Sequence, residues 1–241
     1  MKLNKKTLAL LLLIAAIILC LKIVLVNPRA RVIENVIALP EKLEIPDAHW
    51  VDIYFTAINE ITEGAHWKPL REVGLPHGSL EIRIWIGFGE FGSSGLRLLR
   101  NGGGEWTGCY VSGGYFKVQE MSQRQSWPDE HIKAICESYL KEAKPFYELT
   151  PKTSWTRLWE KVEALGILTL PDASTLPNER SVLDGIGYIV EINDGERYRA
   201  YLYSNPQEQE WAEAERIIKI IKTLREEFQH SLPANTMAWD Y

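Results

Sequence analysis

The stretch IGYIVEINDGERYRAYLY, residues 186–203, decides the fold because it has the pattern of a β-hairpin. Two runs rich in β-branched and aromatic residues flank the turn sequence at 193–195, which ends in a glycine that accepts the left-handed conformation. A three-residue loop ending in Gly195 places Val190 opposite Tyr198 and separates apolar from polar side chains. We therefore predict this register.

The same register gathers hydrogen-bonding side chains on the other face of the hairpin. It sets Glu191 opposite Arg197, so that an ion pair could form across the two strands. The resulting candidate binding cluster comprises Glu191, Arg197, Arg199, Tyr201 and Tyr203. A solvated network between neighbouring strands, which needs no ligand, is the favoured explanation of these residues.

Upstream of the hairpin, the sequence predicts a meander of antiparallel strands. Apolar residues at 80, 82, 84 and 86 alternate with Glu81 and Arg83, the period of a sheet with one buried face. Trp85 interrupts the polar face, which suggests that another element covers it. Further short runs at 96–100, 106–111 and 115–118 are separated by glycine-rich turns.

Amphipathic segments predict helices packed on this sheet. Apolar residues recur at helical spacing in 49–62, 128–143 and 154–165, and Ser154 and Gly166 suit the start and the stop of the third. A longer helix is predicted from Pro206 to about Gln229, with Asn205 as its cap. The fold class is therefore α+β, with one globular domain over residues 49–241.

Residues 7–26 predict a single transmembrane helix ahead of this domain. Every residue from Leu8 to Leu21 is apolar, and the run continues after Lys22 to Val26. A helix of this length spans about 30 Å, the hydrocarbon thickness of a bilayer. We assign residues 1–26 to a signal-anchor that contacts the lipid bilayer through residues 7–26, and residues 27–48, which hold three prolines, to a linker.

Two alternatives to a retained anchor start from the same residues. The basic residues before the apolar run also begin a cleavable signal peptide, although small residues at the expected cleavage positions are missing. Lipidation of Cys20 would need a small residue before it, where Leu19 stands. We favour a retained anchor with an extracytoplasmic C-terminal domain, and secretion after cleavage is the alternative.

The charge of the domain argues against nucleic-acid binding. All 32 acidic residues but only 21 of the 27 basic residues lie from residue 32 onward, a formal net charge of −11. Affinity for nucleic acid comes mainly from lysine and arginine side chains that replace counterions on phosphates. We therefore predict no nucleic-acid partner.

Sequence motifs supply no cofactor or metal site. The glycines at 87, 89 and 92 match a dinucleotide-binding pattern by letter but do not open a helix, and the five histidines lack ligand spacing. Cys109 and Cys136 are the two cysteines beyond the anchor, and they either form a disulfide in an oxidising compartment or remain buried thiols. No catalytic residue is assigned.

Three functions remain open. The first is a membrane-anchored envelope protein whose domain is a non-catalytic binding or interaction module. The second is an exported hydrolase that uses loop residues near 87–104, for instance Glu90, Ser93 and Ser94. The third is an aromatic-lined carbohydrate binder, since the chain has nine tryptophans, of which Trp67, Trp106 and Trp127 are not explained by helix packing.

Overall fold

The computed structural model describes residues 39–88, 93–125, 127–180 and 185–233. The predicted membrane span at 7–26 lies outside these ranges. Within them, no helix is both long enough and apolar enough to cross a bilayer.

A seven-stranded sheet forms the centre of the domain, with strand order β1-β7-β6-β2-β3-β4-β5. All neighbouring strands are antiparallel except β1, which is parallel to β7. The mainly antiparallel sheet and the packed helices confirm the predicted α+β class. The strands are β1 (Lys42–Glu44), β2 (Leu80–Gly87), β3 (Ser94–Arg100), β4 (Trp106–Ser112), β5 (Phe146–Glu148), β6 (Gly187–Asn193) and β7 (Arg197–Ser204).

Five α-helices of the described ranges accompany the sheet, and the predicted capping residues start and stop the one at 155–164. The Ser154 hydroxyl accepts a hydrogen bond from the N–H of Arg157, and Gly166 has a φ of +87° just after the same helix. The carboxylate of Asp129 accepts from the N–H of Ile132 in the same way. The helices are α1 (Trp50–Gly64), α2 (Gly113–Gln123), α3 (Glu130–Glu142), α4 (Trp155–Ala164) and α5 (Ala212–Phe228).

Helices cover both faces of the sheet, so the expectation of one buried face is wrong. On the α5 face, Ile82 and Val190 pack in one core with Ile217 and other residues of α4 and α5. On the opposite α1 face, Trp85 packs in a second core with Ile58 of α1. Alternation in β2 thus separates two cores rather than a core from solvent.

The late hairpin forms as predicted, but its register is wrong. Asn193 lies opposite Tyr198, and Val190 lies opposite Tyr201. Residues 194–196 connect the two strands, and Arg197, the first residue of β7, is paired with β1 rather than with β6. Side chains in the turn stabilise this loop, because Asp194 Oδ1 accepts from the N–H groups of Glu196 and Arg197 at 3.1 and 2.7 Å. Since both faces of the hairpin are covered, separating polar from apolar residues could not select the register.

Three further boundaries differ from the sequence predictions. Residues 115–118 lie in helix α2, because residues 146–148 occupy the position beside β4 that a further strand would need. Pro206–Glu208 forms a separate 3₁₀ turn, and α5 begins only at Ala212. Residues 42–44 form β1, although the sequence places them in the linker.

Candidate functional site

The five residues of the predicted hairpin cluster do not come together. Because the register differs, Glu191 points to the α1 face, whereas Arg197, Arg199, Tyr201 and Tyr203 alternate onto the α5 face. Three of them still lie together, because the Arg199 guanidinium is 5.2 Å from the Tyr201 ring centroid and the ring centroids of Tyr201 and Tyr203 are 6.0 Å apart.

The side chains of β7 on the α5 face bind a segment of the same chain. Arg199 donates to the carbonyls of Leu168 and Leu170, the second at 2.6 Å. The hydroxyl of Tyr201 donates to the carbonyl of Ile167 at 2.7 Å, and that of Tyr203 donates to Pro171 at 2.9 Å. The side chains of Arg199, Tyr201 and Tyr203 therefore hold the connection at residues 167–171 against the sheet. Their hydrogen-bond donors are occupied by these backbone carbonyls.

Replacing Tyr201 with phenylalanine should lower the free energy of unfolding by about 1 to 2 kcal/mol. The substitution leaves the buried Ile167 carbonyl without its partner while keeping the ring in place. Urea unfolding followed by circular dichroism measures the change. Tyr54→Phe is the matched control, since no hydrogen bond of its hydroxyl is found among the described residues, and an equal loss in both variants would contradict the assigned role.

Glu191 takes part in a buried hydrogen-bond network on the α1 face. Its carboxylate accepts from Trp85 Nε1 at 2.5 Å and from the Tyr198 hydroxyl at 2.7 Å. Burial, together with the charge of Glu191, raises the pKa of Tyr198 well above its usual value, so this hydroxyl keeps its proton. Both oxygens of Glu191 are thus engaged inside the domain.

A second network surrounds Glu81, which is fully buried on the same face. Its carboxylate accepts from Arg83 Nε at 2.9 Å and from Arg97 Nε and Nη2 at 2.8 and 3.0 Å. Both guanidinium groups also lie over the ring of Trp67, at 5.2 and 5.4 Å from its centroid. Arg83 donates further to the carbonyl of Lys68 at 2.8 Å, which leaves this network bonded on several sides.

The two cysteines are free, partly buried thiols in the structure, and the disulfide stays a prediction. Cys109 lies opposite Arg97 in the sheet. Burial raises the pKa of its thiol despite the nearby arginine charge, so it has little thiolate character at neutral pH.

Of the loop residues considered for hydrolysis, the structure describes Ser93 and Ser94. Ser93 is buried, and Ser94 Oγ accepts a hydrogen bond from the Tyr110 hydroxyl at 2.9 Å. Burial raises the pKa of Tyr110 to about 12, so this phenol is a poor proton acceptor near neutral pH. Glu90 lies outside the described residues.

The partly buried tryptophans mostly pack against other side chains. Trp106 lies 4.9 Å from Trp159 and 6.2 Å from Trp155, and Arg100 lies over its ring. These neighbours engage the Trp106 ring that a sugar would need to stack on. Trp127 has no ring contact among the described residues.

Among the α-helices of the described residues, α3 is the one without a buried residue. Its apolar stripe of Ile132, Ile135, Cys136, Tyr139 and Leu140 has the spacing of a packed helix, yet no residue of α3 is buried. Ile135 is 52% exposed, and Tyr139 is 37% exposed. The sequence predicts this stripe but not that the described part of the chain leaves Ile135 and Tyr139 of it exposed.

The start of β5 lies near Tyr139, and Phe146 of β5 is a further exposed aromatic residue. The Tyr139 hydroxyl lies 3.2 Å from Ser112 Oγ, and the N–H of Ser112 donates to the carbonyl of Pro145, the residue before Phe146. Phe146 is also 37% exposed, and its ring contacts Trp67 and Phe116 at 5.7 and 5.9 Å. Ile135, Tyr139 and Phe146 are named here the α3–β5 patch.

Comparison of the chain with protein-family models, curated proteins and solved structures found no match. Among the residues that the structure describes, no group of three or more His, Cys, Asp or Glu side chains could hold a metal ion. The functional argument therefore depends on the side chains of this domain. The composition of the α3–β5 patch favours binding, because exposed aromatic and large aliphatic residues are typical of interface centres.

Proposed function

We propose that this chain is a membrane-anchored envelope protein whose extracytoplasmic domain is a non-catalytic interaction module that binds a protein through the α3–β5 patch. The membrane part of the proposal is supported by the uninterrupted apolar run from Leu8 to Leu21 and the basic residues before it. The binding part is supported by the exposure of α3.

The engagement of buried charged groups supports binding over catalysis. A catalytic acid, base or nucleophile needs an atom directed at a substrate, whereas Glu81 and Glu191 have both oxygens bonded inside the domain. Glu227 is similar, since it accepts from Lys161 at 2.7 Å and from the N–H and hydroxyl of Thr153 at 2.9 Å. These groups stabilise the fold.

The observation that carries the proposal is that α3 is amphipathic and yet unburied. An isolated helix of 13 residues is marginal in water, and most of its stability in proteins comes from burying its apolar face. A face left exposed in the folded domain is consistent with burial against a partner. The three exposed residues Ile135, Tyr139 and Phe146 lie within 12 residues of sequence, so much exposed apolar surface comes from one short part of the chain.

Photo-crosslinking in intact cells tests this function. A photoreactive benzoylphenylalanine replaces Tyr139 of the full-length chain, and the same residue at Ile218, which is equally exposed at 37% on α5, provides the control. After irradiation, membranes are washed with carbonate and analysed for products heavier than the 27.6 kDa chain. We expect the chain to stay with the membranes and to form a discrete protein adduct from position 139.

Two results would contradict the proposal. Release of the chain by carbonate would show that the chain is not anchored in the membrane. Equal adducts from positions 139 and 218, or none from either, would show that the α3–β5 patch is not a preferred contact.

A further inference from the structure

We infer that the partner bound by the α3–β5 patch is a second copy of this chain, related by a two-fold axis that packs the two α3 helices antiparallel. This inference rests on the proposed function and specifies its partner. It follows from the charge of the α2–α3 region, from the arrangement of charged residues along α3 and from the size of the exposed surface.

The charge of the α2–α3 region permits self-association there. Residues 32–241 have a formal net charge of −11, so two copies repel each other over most of their surfaces. Residues 113–145, which contain α2 and α3, are formally neutral, so a second copy can approach this region without the net repulsion of the domain as a whole. Their charged residues are Lys117, Arg124, Lys133, Lys141 and Lys144 against Glu120, Asp129, Glu130, Glu137 and Glu142.

Residues at one edge of the apolar stripe can pair with residues at the same edge in a second copy. His131 and Glu142 are both exposed, and their separation of 11 residues places them on the same side of the helix, beside Ile135 and Tyr139. A two-fold axis near the middle of α3 brings His131 of each copy close to Glu142 of the other. Antiparallel packing also aligns the two helix dipoles favourably.

Because α3 is short, we expect the two copies to associate weakly and to need the membrane in order to stay together. A helix of 13 residues is about 20 Å long, and a stable interface buries about 800 Å² on each partner, more than one short helix and Phe146 supply. Anchoring both copies in one bilayer raises their effective concentration and compensates for this small area. We therefore expect pairs in membranes and monomers in dilute detergent.

The sheet topology is compatible with such lateral pairing. The described chain enters the sheet at β1, and β5 lies at the opposite edge, six strand spacings or roughly 29 Å away. The patch is thus separated from the edge at which the linker arrives.

Co-expression of two differently tagged full-length copies tests the inference. One copy carries benzoylphenylalanine at Ile135, and a product containing both tags after irradiation of membranes is the expected result. Tyr139→Glu in both copies should lower this product by about tenfold, because it places two unpaired charges in the interface. Ile218→Glu, a charge at an equally exposed site on α5, should leave it unchanged.

The other outcomes are distinguishable. An adduct with a different polypeptide overturns the two-fold pair and leaves the proposed function standing. A lipid adduct alone, or no adduct, overturns both. A double-tagged product that persists equally in Tyr139→Glu also overturns the pair, and circular dichroism of each variant shows that the domain is folded.

Discussion

Replacing Glu81 with glutamine should lower the free energy of unfolding by about 3 kcal/mol. The substitution keeps the shape of the side chain but removes the negative charge that Arg83 and Arg97 share. Arg83 is 2% exposed and cannot recover hydration, and removing one partner of a buried ion pair typically costs about 3–5 kcal/mol. The lower end applies here because Arg97 reaches solvent and the amide oxygen of the new side chain still accepts hydrogen bonds.

Urea unfolding at neutral pH measures this change. Glu210→Gln is the matched control, because Glu210 pairs with Arg180 at the surface and its side chain is 79% exposed. We expect the control to stay within about 0.5 kcal/mol of the parent. Similar losses in both variants would show that the buried network has no special role.

The acid dependence of stability should change in the same variant. Burial by itself raises the pKa of Glu81, but the hydrogen bond from Arg97 and the positive charges of Arg83 and Arg97 outweigh burial and hold the pKa below its ordinary value of 4.5. A group with a lowered native pKa stabilises the fold above its ordinary pKa, and this stabilisation disappears as the pH falls through the lowered value. The parent should therefore lose more stability than Glu81→Gln below about pH 4.5. Parallel pH dependences would contradict this assignment.

Local signals in the sequence predict where helices and strands form better than they predict what packs against them. Ser154 and Gly166 bound α4 as expected, because hydrogen bonding at a cap and a positive φ after a helix depend on a few neighbouring residues. The hairpin at 186–203 forms for the same reason. Its register depends on whether one face or both are buried, and that is decided by α1, a distant part of the chain.

For the polar residues Glu81 and Arg83, too, the sequence of the strand does not show which other elements cover them. Their alternation with isoleucines predicts a solvent-facing strand, yet α1 and the loop after it cover them. Burial is tolerated because Arg97 of the next strand lies opposite Arg83 and completes the ion pairs. The pairing of β2 with β3 is needed to find this network, and a single strand pattern does not contain it.

The α3–β5 patch was missed for the opposite reason. Helical spacing of Ile132, Ile135 and Tyr139 predicts an apolar face but not the element that covers it. The natural expectation is a core of the same domain. Only the placement of α3 at the β4–β5 side of the sheet shows that the stripe is still exposed.

Replacing Asp172 with alanine is the second substitution from which we expect a large effect, a loss of about 3 kcal/mol in the free energy of unfolding. The Asp172 carboxylate accepts from the N–H of Leu202 at 2.8 Å, from the N–H of Ser174 at 3.0 Å, from the Ser174 hydroxyl, and from Trp50 Nε1 at 3.4 Å. Alanine would leave the buried Leu202 N–H unpaired, at a cost of about 1–3 kcal/mol, and would remove the other bonds as well. Thermal unfolding of the variant measures the sum.

The position of Leu202 adds a second expected result. β1 pairs with β7 only at residues 197–199, and Asp172 occupies the strand edge beyond it. Without the carboxylate, an unpaired length of β7 becomes available to another chain, and exposed strand edges promote aggregation. Light scattering during heating should therefore rise earlier in Asp172→Ala than in Asp129→Ala, which removes an exposed helix cap at a cost of about 1 kcal/mol. Asp172→Asn keeps one acceptor oxygen and should fall between the two. Equal scattering in the two alanine variants would mean that the edge of β7 is protected by other groups.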